Sequence, residues 1–308
     1  MCGSDLHIYH GRVQIEQGFT IGHEYVGTVT AIGDGVENFK VGDRVLGCFQ
    51  TACGNCFFCR RGLYHRCANS RTFGHGSTLG ALQGTQADYA LVPNADLILR
   101  AVPDGMSDDV ALFAGDVMGT GFHAVQESGM RPGDVVAVLG LGPVGLCAVQ
   151  VARATGASHV FAIDSVEDRL NVARAYGAEP LNIEQQDVRG AVRAATEGRG
   201  VDVAIDAVGD PRVLESAIRI TRACGSIQCV GVYAERAEVH MGLLWLKALT
   251  LRGGHANVIG HVDRVMAMLS AGVLDPTALV TRHMKLDEAP EAYQIYDRRE
   301  ALKIILTP

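Results

Sequence analysis

The rhythm of apolar and polar positions changes twice along this chain. Residues 1–115 carry short apolar runs, Tyr25–Ile32, Asp43–Cys48 and Asp88–Pro93, parted by Gly, Asp and Asn. Runs of that length between turn-forming residues predict short strands in a β-rich, loop-rich region. From about Asp116 the pattern alternates. Strands are predicted over Val135–Leu139, Val160–Ile163, Val201–Asp206 and Ser226–Val230, and helices over Gly145–Ala154, Val166–Tyr176 and Val213–Thr221. Strand and helix in strict alternation predict an α/β domain with a doubly wound parallel sheet. After about Gly254 one amphipathic helix, His261–Ala271, and a terminal strand, Leu302–Leu306, remain. The chain is therefore divided at 1–117, 118–255 and 256–308, with the last segment returning to the first domain. Its 308 residues exceed what one compact core usually serves.

One stretch, Val135–Ala152, has no charged residue, so a membrane helix has to be considered there. Gly140, Gly142, Pro143 and Gly145 interrupt it, and strand, turn and buried helix is the better reading. No cationic start leads into an apolar segment at residues 1–10, so no secretory signal is read. A soluble, cytoplasmic protein with no membrane partner is expected. The net charge of −7 argues against a nucleic-acid partner, because phosphate binding needs a basic face.

Gly140-Leu-Gly142-Pro143-Val144-Gly145 follows a predicted strand and opens a predicted helix. In that context the first Gly permits the tight turn and the second lets backbone approach a pyrophosphate. The third lets helix and strand pack closely. Asp164 ends the next strand, nineteen residues after Gly145. A carboxylate there accepts hydrogen bonds from the adenosine ribose and repels a 2′-phosphate, which favours NAD over NADP. It also stands where it can cap the following helix, and the two roles are compatible. Arg169, one turn further on, reaches the same ribose or is a solvated surface charge.

Nine cysteines, an odd number, argue against a disulfide framework. Cys53, Cys56, Cys59 and Cys67 give C-x2-C-x2-C-x7-C, a spacing at which four thiolates enclose one tetrahedral zinc with no open position. Such a site is structural. Arg60, Arg61 and Arg66 interleave and are placed to offset the thiolate charge. Cys48, Cys147, Cys224 and Cys229 sit in apolar contexts and read as core fillers.

A second constellation opens the chain: Cys2-Gly-Ser4-Asp5-Leu-His7, then Gly22-His23-Glu24, and much later Asp116-Val-Met-Gly-Thr120. With the cysteine lobe and the glycine loop in this order, the whole chain resembles the zinc-dependent alcohol dehydrogenases of the medium-chain dehydrogenase/reductase family. The nearest resemblance is to its formaldehyde-dehydrogenase-like, secondary-alcohol and sorbitol/threonine-type branch. The resemblance implies a Rossmann domain beside a GroES-like β-rich catalytic domain. It implies two zinc ions per chain, one catalytic and one structural, with NAD as cofactor. Cys2, His23 and Asp116 match the catalytic ligands, and Glu24 matches a carboxylate close to the metal that can bind it transiently. Asp5 matches a residue orienting His23, and Ser4 and His7 match a proton relay. Thr120 matches a contact to the nicotinamide amide, and Val208 and Val230–Val232 the wall behind its ring. The implied reaction is hydride transfer between an alcohol and NAD, giving an aldehyde or ketone, in a homodimer or homotetramer.

One departure stays open. Family members carry further strands ahead of the Cys that Cys2 matches. The resemblance therefore implies a coding start upstream of Met1, or else an N-terminally truncated form whose catalytic site is weakened or lost. Two other functions are weighed against the leading one. A zinc-free quinone-reductase-like enzyme of the same fold would lack these ligands and prefer NADPH. A non-enzymatic NAD- and zinc-binding homologue would bind both without turnover.

Overall fold

The computed structural model describes residues 1–308 and divides them into two compact units, Met1–Gly119 with Asn257–Pro308, and Thr120–Ala256. In chain order the first part contains α1 (Gly3–Tyr9), β1 (Tyr25–Thr28), β2 (Arg44–Gly47), α2 (Ala95–Ile98), β3 (Leu99–Ala101) and α3 (Asp108–Ala114). Then come α4 (Val117–Glu127), β4 (Val135–Leu139), α5 (Pro143–Ala154), β5 (His159–Asp164), α6 (Glu167–Ala175), β6 (Glu179–Asn182) and α7 (Val188–Ala195). They are followed by β7 (Val201–Asp206), α8 (Pro211–Ile220), β8 (Thr221–Cys229), α9 (Met241–Leu246) and β9 (Thr250–Gly253). The chain ends with α10 (Val258–Ser270), β10 (Val280–Lys285), α11 (Ala289–Asp297) and β11 (Lys303–Thr307).

The unit formed by Thr120–Ala256 is a single six-stranded sheet in the order β6-β5-β4-β7-β8-β9, with every neighbouring pair parallel. Its central strands are apolar on both faces because helices cover both. Val136, Ala137, Val138 and Leu139 of β4 are buried, as are Phe161, Ile205 and Ile227 on β5, β7 and β8. Removing each of the last three from water stabilises the sheet by about 1.5–3 kcal/mol. The winding direction reverses between β4 and β7. At such a switch point the loops leaving adjacent strands part and open a crevice at the carboxyl ends of the strands.

The other unit carries a three-stranded antiparallel sheet, β1-β2-β3, and a parallel pair, β10-β11. Its buried cluster gathers Tyr293, Ile295 and Tyr296 of α11 with Ile304 of β11. The architecture is the expected one, with a doubly wound parallel sheet in one unit and a β-containing second unit.

Some expectations are corrected. No strand forms over Asp88–Pro93, where Tyr89 and Leu91 are 77% and 83% exposed. Their apolar side chains have no packed surface to face, and the backbone runs without a ladder partner. Beyond Gly254 the chain adds β10 and α11 to the expected helix and strand. Cys224 is exposed, with a left-handed φ of 58°, and fills no core. No helix is long and apolar enough to cross a membrane.

Candidate functional site

The first site is assembled by three separate parts of one unit. Cys2 precedes α1, and its backbone N–H donates to the Asp5 carboxylate at 2.9 Å, so the start of the helix holds both residues. His23 lies just ahead of β1, and Asp116 lies between α3 and α4. All are buried: Cys2 is 8% exposed, His23 3% and Asp116 7%. The thiol, one imidazole nitrogen and one carboxylate oxygen all lie within 4.8 Å of one another. Three ligands around tetrahedral zinc stand about 3.3–3.8 Å apart, so the trio needs only a small contraction to hold the ion.

Electrostatics favours a cation at this point. Burial and the neighbouring Asp116 carboxylate push the Cys2 thiol up from its ordinary range. Burial alone would lower the His23 imidazole, but Asp5 and Asp116 outweigh it and raise it well above its usual value. Two acidic groups and a thiol share a dry site, and a divalent ion reverses this balance by stabilising the thiolate and both carboxylates.

The neighbours of His23 are ordered. Its Nδ1 stands 3.1 Å from Asp5 Oδ1, and its Nε2 lies 3.2 Å from both Asp116 Oδ2 and the Ser4 hydroxyl. A carboxylate behind a metal-ligating imidazole fixes its tautomer and its orientation. Ser4 and His7 are three apart on α1, hence on one side of it. His7 is half-buried, and burial, with Arg12 and His10 nearby, lowers its imidazole.

Glu24 follows His23 directly, and its partner was not anticipated. Lys303 on β11 is fully buried and donates to Glu24 Oε1. Burial would lower its ammonium, but Glu24, Cys2 and Asp116 raise it. The one signal available was a lysine inside the apolar run Ala301–Leu306. His75 also escaped notice. Its ring packs edge-on against His23 at 5.2 Å, and its Nδ1 bonds the Phe73 carbonyl at 2.8 Å.

The cysteine lobe brings the four sulfurs of Cys53, Cys56, Cys59 and Cys67 within 4.8 Å of one another. Two short 3-10 turns, Cys59–Arg61 and Tyr64–Arg66, fold the segment onto itself. Backbone N–H groups of Cys53 and Asn69 aim at Cys67 Sγ at 3.2 and 3.3 Å. The Cys56 thiol is lowered to about 6 by the Cys59 and Ala68 backbone, whereas burial pushes Cys59 up to about 12. Four converging sulfurs with N–H donors around them fit a closed tetrahedral zinc. Arg61 is not aimed at the thiolates: its guanidinium lies 3.6 Å over the Phe57 ring.

The cofactor loop belongs to the other unit. Gly140 leaves β4 with φ 88°, and Gly142 caps α5 ahead of Pro143. A Cβ on Gly145 would stand 1.9 Å from the Gly140 carbonyl oxygen, so only glycine permits this helix–strand approach. Val144 follows in the first turn of α5. Asp164 ends β5. Its Oδ2 accepts the Leu141 N–H at 2.6 Å, its Oδ1 accepts those of Ser165 and Val166, and Arg169 lies 3.7 Å away. A carboxylate beside the glycine turn at the end of the second strand fits a ribose diol. Thr120 lies on α4, while Val208 follows β7 and Val230–Val232 follow β8. Val208 and Val232 are 44% and 53% exposed.

Comparison with known proteins identifies the family. Residues 1–104 match a family described as alcohol dehydrogenase GroES-like domain, and residues 143–271 match one described as zinc-binding dehydrogenase. An uncharacterized zinc-type alcohol dehydrogenase-like protein of Bacillus subtilis is 35% identical over 100% of this chain and 90% of its own. The solved alcohol dehydrogenase of Thermus sp. ATN1 superposes with a TM-score of 0.96 at 42% identity, covering 100% of this chain and 89% of that one. An alcohol dehydrogenase of Escherichia coli solved with NADH superposes with a TM-score of 0.89 at 27% identity, over 100% and 89%.

Proposed function

This chain belongs to the zinc-dependent alcohol dehydrogenases, and we propose that it interconverts a small alcohol and its aldehyde or ketone with Cys2, His23 and Asp116 holding the catalytic zinc. The observation that carries this reading is the buried convergence of those three donors from three separated stretches of sequence. Zinc and NAD are its cofactors. Bound zinc supplies the Lewis acidity that brings a hydroxyl proton within reach at neutral pH, and NAD supplies the hydride acceptor.

The chain's own residues do the rest. Asp5 fixes the His23 ring through Nδ1, leaving Nε2 for the metal. The Ser4 hydroxyl, 3.2 Å from that Nε2, accepts the substrate proton and passes it toward His7, which releases it to solvent. Glu24, tethered by Lys303, waits beside the site as a carboxylate able to approach the metal. In the other unit Gly140, Gly142, Pro143, Val144 and Gly145 receive the pyrophosphate. Asp164, assisted by Arg169, takes the adenosine ribose. Thr120 holds the nicotinamide amide, and Val208, Val230 and Val232 back its ring. Cys53, Cys56, Cys59 and Cys67 hold a structural zinc.

The zinc-free quinone-reductase reading is not favoured, because both metal-ligand sets are assembled; an inactive homologue would keep both sets, and turnover separates it from the leading reading. The functional form is a homodimer or homotetramer. β9 is an edge strand with all four residues exposed, and Trp245 and Leu246 beside it are 80% and 73% exposed. A second copy paired at this edge would cover them. A cytoplasmic location accords with nine cysteines that form no disulfide.

The test is elemental analysis of the full chain with NADH production followed on short primary and secondary alcohols. Two zinc per chain with turnover is expected. Asp116→Asn should leave one zinc and abolish turnover. Two zinc retained in that variant would overturn the ligand assignment.

A further inference from the structure

The chain uses one buried carboxylate that none of the roles above employs. Asp206 is the last residue of β7 and is 0% exposed. Its Oδ1 accepts the backbone N–H groups of Val208 at 2.8 Å and Gly209 at 3.1 Å. Its own carbonyl accepts those of Val230 at 2.9 Å and Gly231 at 3.1 Å, from the loop that follows the neighbouring strand β8. Its Oδ2 accepts the hydroxyl of Tyr233, further along that second loop. One residue thus binds two donors from its own loop and three from the next. A carboxylate is expensive to bury, and only a complete set of donors offsets the cost. Fixing the loops by packing alone would have required no charge at all.

The two loops also meet backbone to backbone. Gly209 has φ 83°, and a Cβ there would stand 2.5 Å from the Val232 carbonyl oxygen. A Cβ on Gly231 would stand 2.1 Å from the Gly209 nitrogen. With no side chain between them, a shift in one loop displaces the other. Val208 in turn overlies the phosphate turn, its Cγ2 being 2.3 Å from where a Gly140 Cβ would be. The position of this loop pair therefore sets where Val208 and Val230–Val232 stand relative to Gly140.

We propose that Asp206 is a positioning residue for the nicotinamide end of the cofactor, acting with Tyr233 to lock the two loops that form the wall behind the ring. The inference rests on the reading that those valines are the wall. Burial and the Asp206 carboxylate both raise the Tyr233 hydroxyl, so it remains a donor throughout the working pH range. Without the lock the loops sample other arrangements. Apparent affinity then falls in proportion to the fraction of molecules with the wall in place.

The experiment is titration of the full chain with NADH and, separately, with ADP-ribose, which lacks the nicotinamide. Tyr233→Phe removes only the hydroxyl. It should weaken NADH about fivefold, leave ADP-ribose within twofold of the wild type, and raise KM for NAD more than it lowers kcat. Asp206→Asn should act in the same direction and further, and if that variant does not fold Tyr233→Phe decides. NADH and ADP-ribose weakened equally, or NADH unaffected, would overturn the proposal. Val208→Ala separates the two layers of the argument. If it changes the ratio of NADH to ADP-ribose affinity while Tyr233→Phe does not, the wall stands and the lock is wrong. If neither variant changes the ratio, the wall assignment itself has failed.

Discussion

His23 Nδ1 stands 3.1 Å from Asp5 Oδ1, with both side chains almost wholly buried. Burial would raise Asp5 and lower His23, yet each is shifted the other way because the pair outweighs it. The Asp5 contribution to stability is complete above about pH 4 and is lost as pH falls through its depressed folded value. The His23 contribution is complete below about pH 6.5 and is lost as pH rises through its raised folded value. Protein stripped of metal should therefore show its highest melting temperature between about pH 4 and 6.5. Asp5→Asn should flatten that profile. An unchanged profile in the variant would mean that the contact carries no charge coupling.

Lys303 and Glu24 form a second buried pair, 279 residues apart, with side chains 0% and 3% exposed. Removing one partner of such a pair strands the other charge and typically costs about 3–5 kcal/mol. Lys303→Met should accordingly shift the urea midpoint strongly downward, and Lys303→Met with Glu24→Gln should recover much of the loss. A single variant as stable as the wild type would show that Glu24 finds another partner.

What was legible in advance was whatever local spacing encodes. Gly140 to Gly145 lies in one strand–turn–helix unit, and the predicted strands Val135–Leu139 and Val201–Asp206 coincide with β4 and β7. Val135–Leu139 is a continuous apolar run, and Val201–Asp206 is broken only by Asp202 before its terminal Asp206; such runs, buried on two faces, are the clearest strand signal a sequence offers. Asp88–Pro93 shows the opposite case: a short apolar run between turn-forming residues suggested a strand, but pairing depends on a neighbour that spacing does not reveal. The candidate catalytic ligands, with Asp5 and Ser4 beside them, were named through resemblance, whereas Lys303 and His75 were not. Lys303 meets Glu24, and His75 meets His23, only through the tertiary path of the chain. Asp206 was read as the end of a strand, because the donors that surround it come from two different loops.

The cysteine lobe should behave as a separable metal site. Cys56→Ser removes a thiol lowered to about 6. Zinc content should fall from two ions to one, and the melting temperature should drop. NADH binding by Thr120–Ala256 should persist, since that unit contains none of the four thiols. The check is elemental analysis paired with NADH fluorescence. Loss of both zinc ions in this variant would instead couple the lobe to the catalytic cluster.

Asp164 has two tasks, and one substitution can separate them. Its carboxylate receives the Leu141 N–H at 2.6 Å and those of Ser165 and Val166 at 2.7 and 3.0 Å, which pins the glycine turn to the end of β5. The same charge binds a ribose diol and repels a 2′-phosphate. Asp164→Asn removes the charge and keeps one of the two oxygen acceptors, so it weakens the turn as well, and the cofactor ratio and the melting temperature report the two tasks separately. Hydrogen bonds to a charged group contribute about 1.5–3 kcal/mol, so the ratio of kcat/KM for NAD to that for NADP should fall roughly 10- to 100-fold. Arg169, 3.7 Å from Asp164, would then be free to meet the 2′-phosphate, so part of the change should appear as a lower KM for NADP. Adding Arg169→Ala should remove that part alone. If the cofactor ratio does not move while the melting temperature falls, Asp164 serves the turn and not the ribose, and NAD preference must be sought elsewhere in the loop.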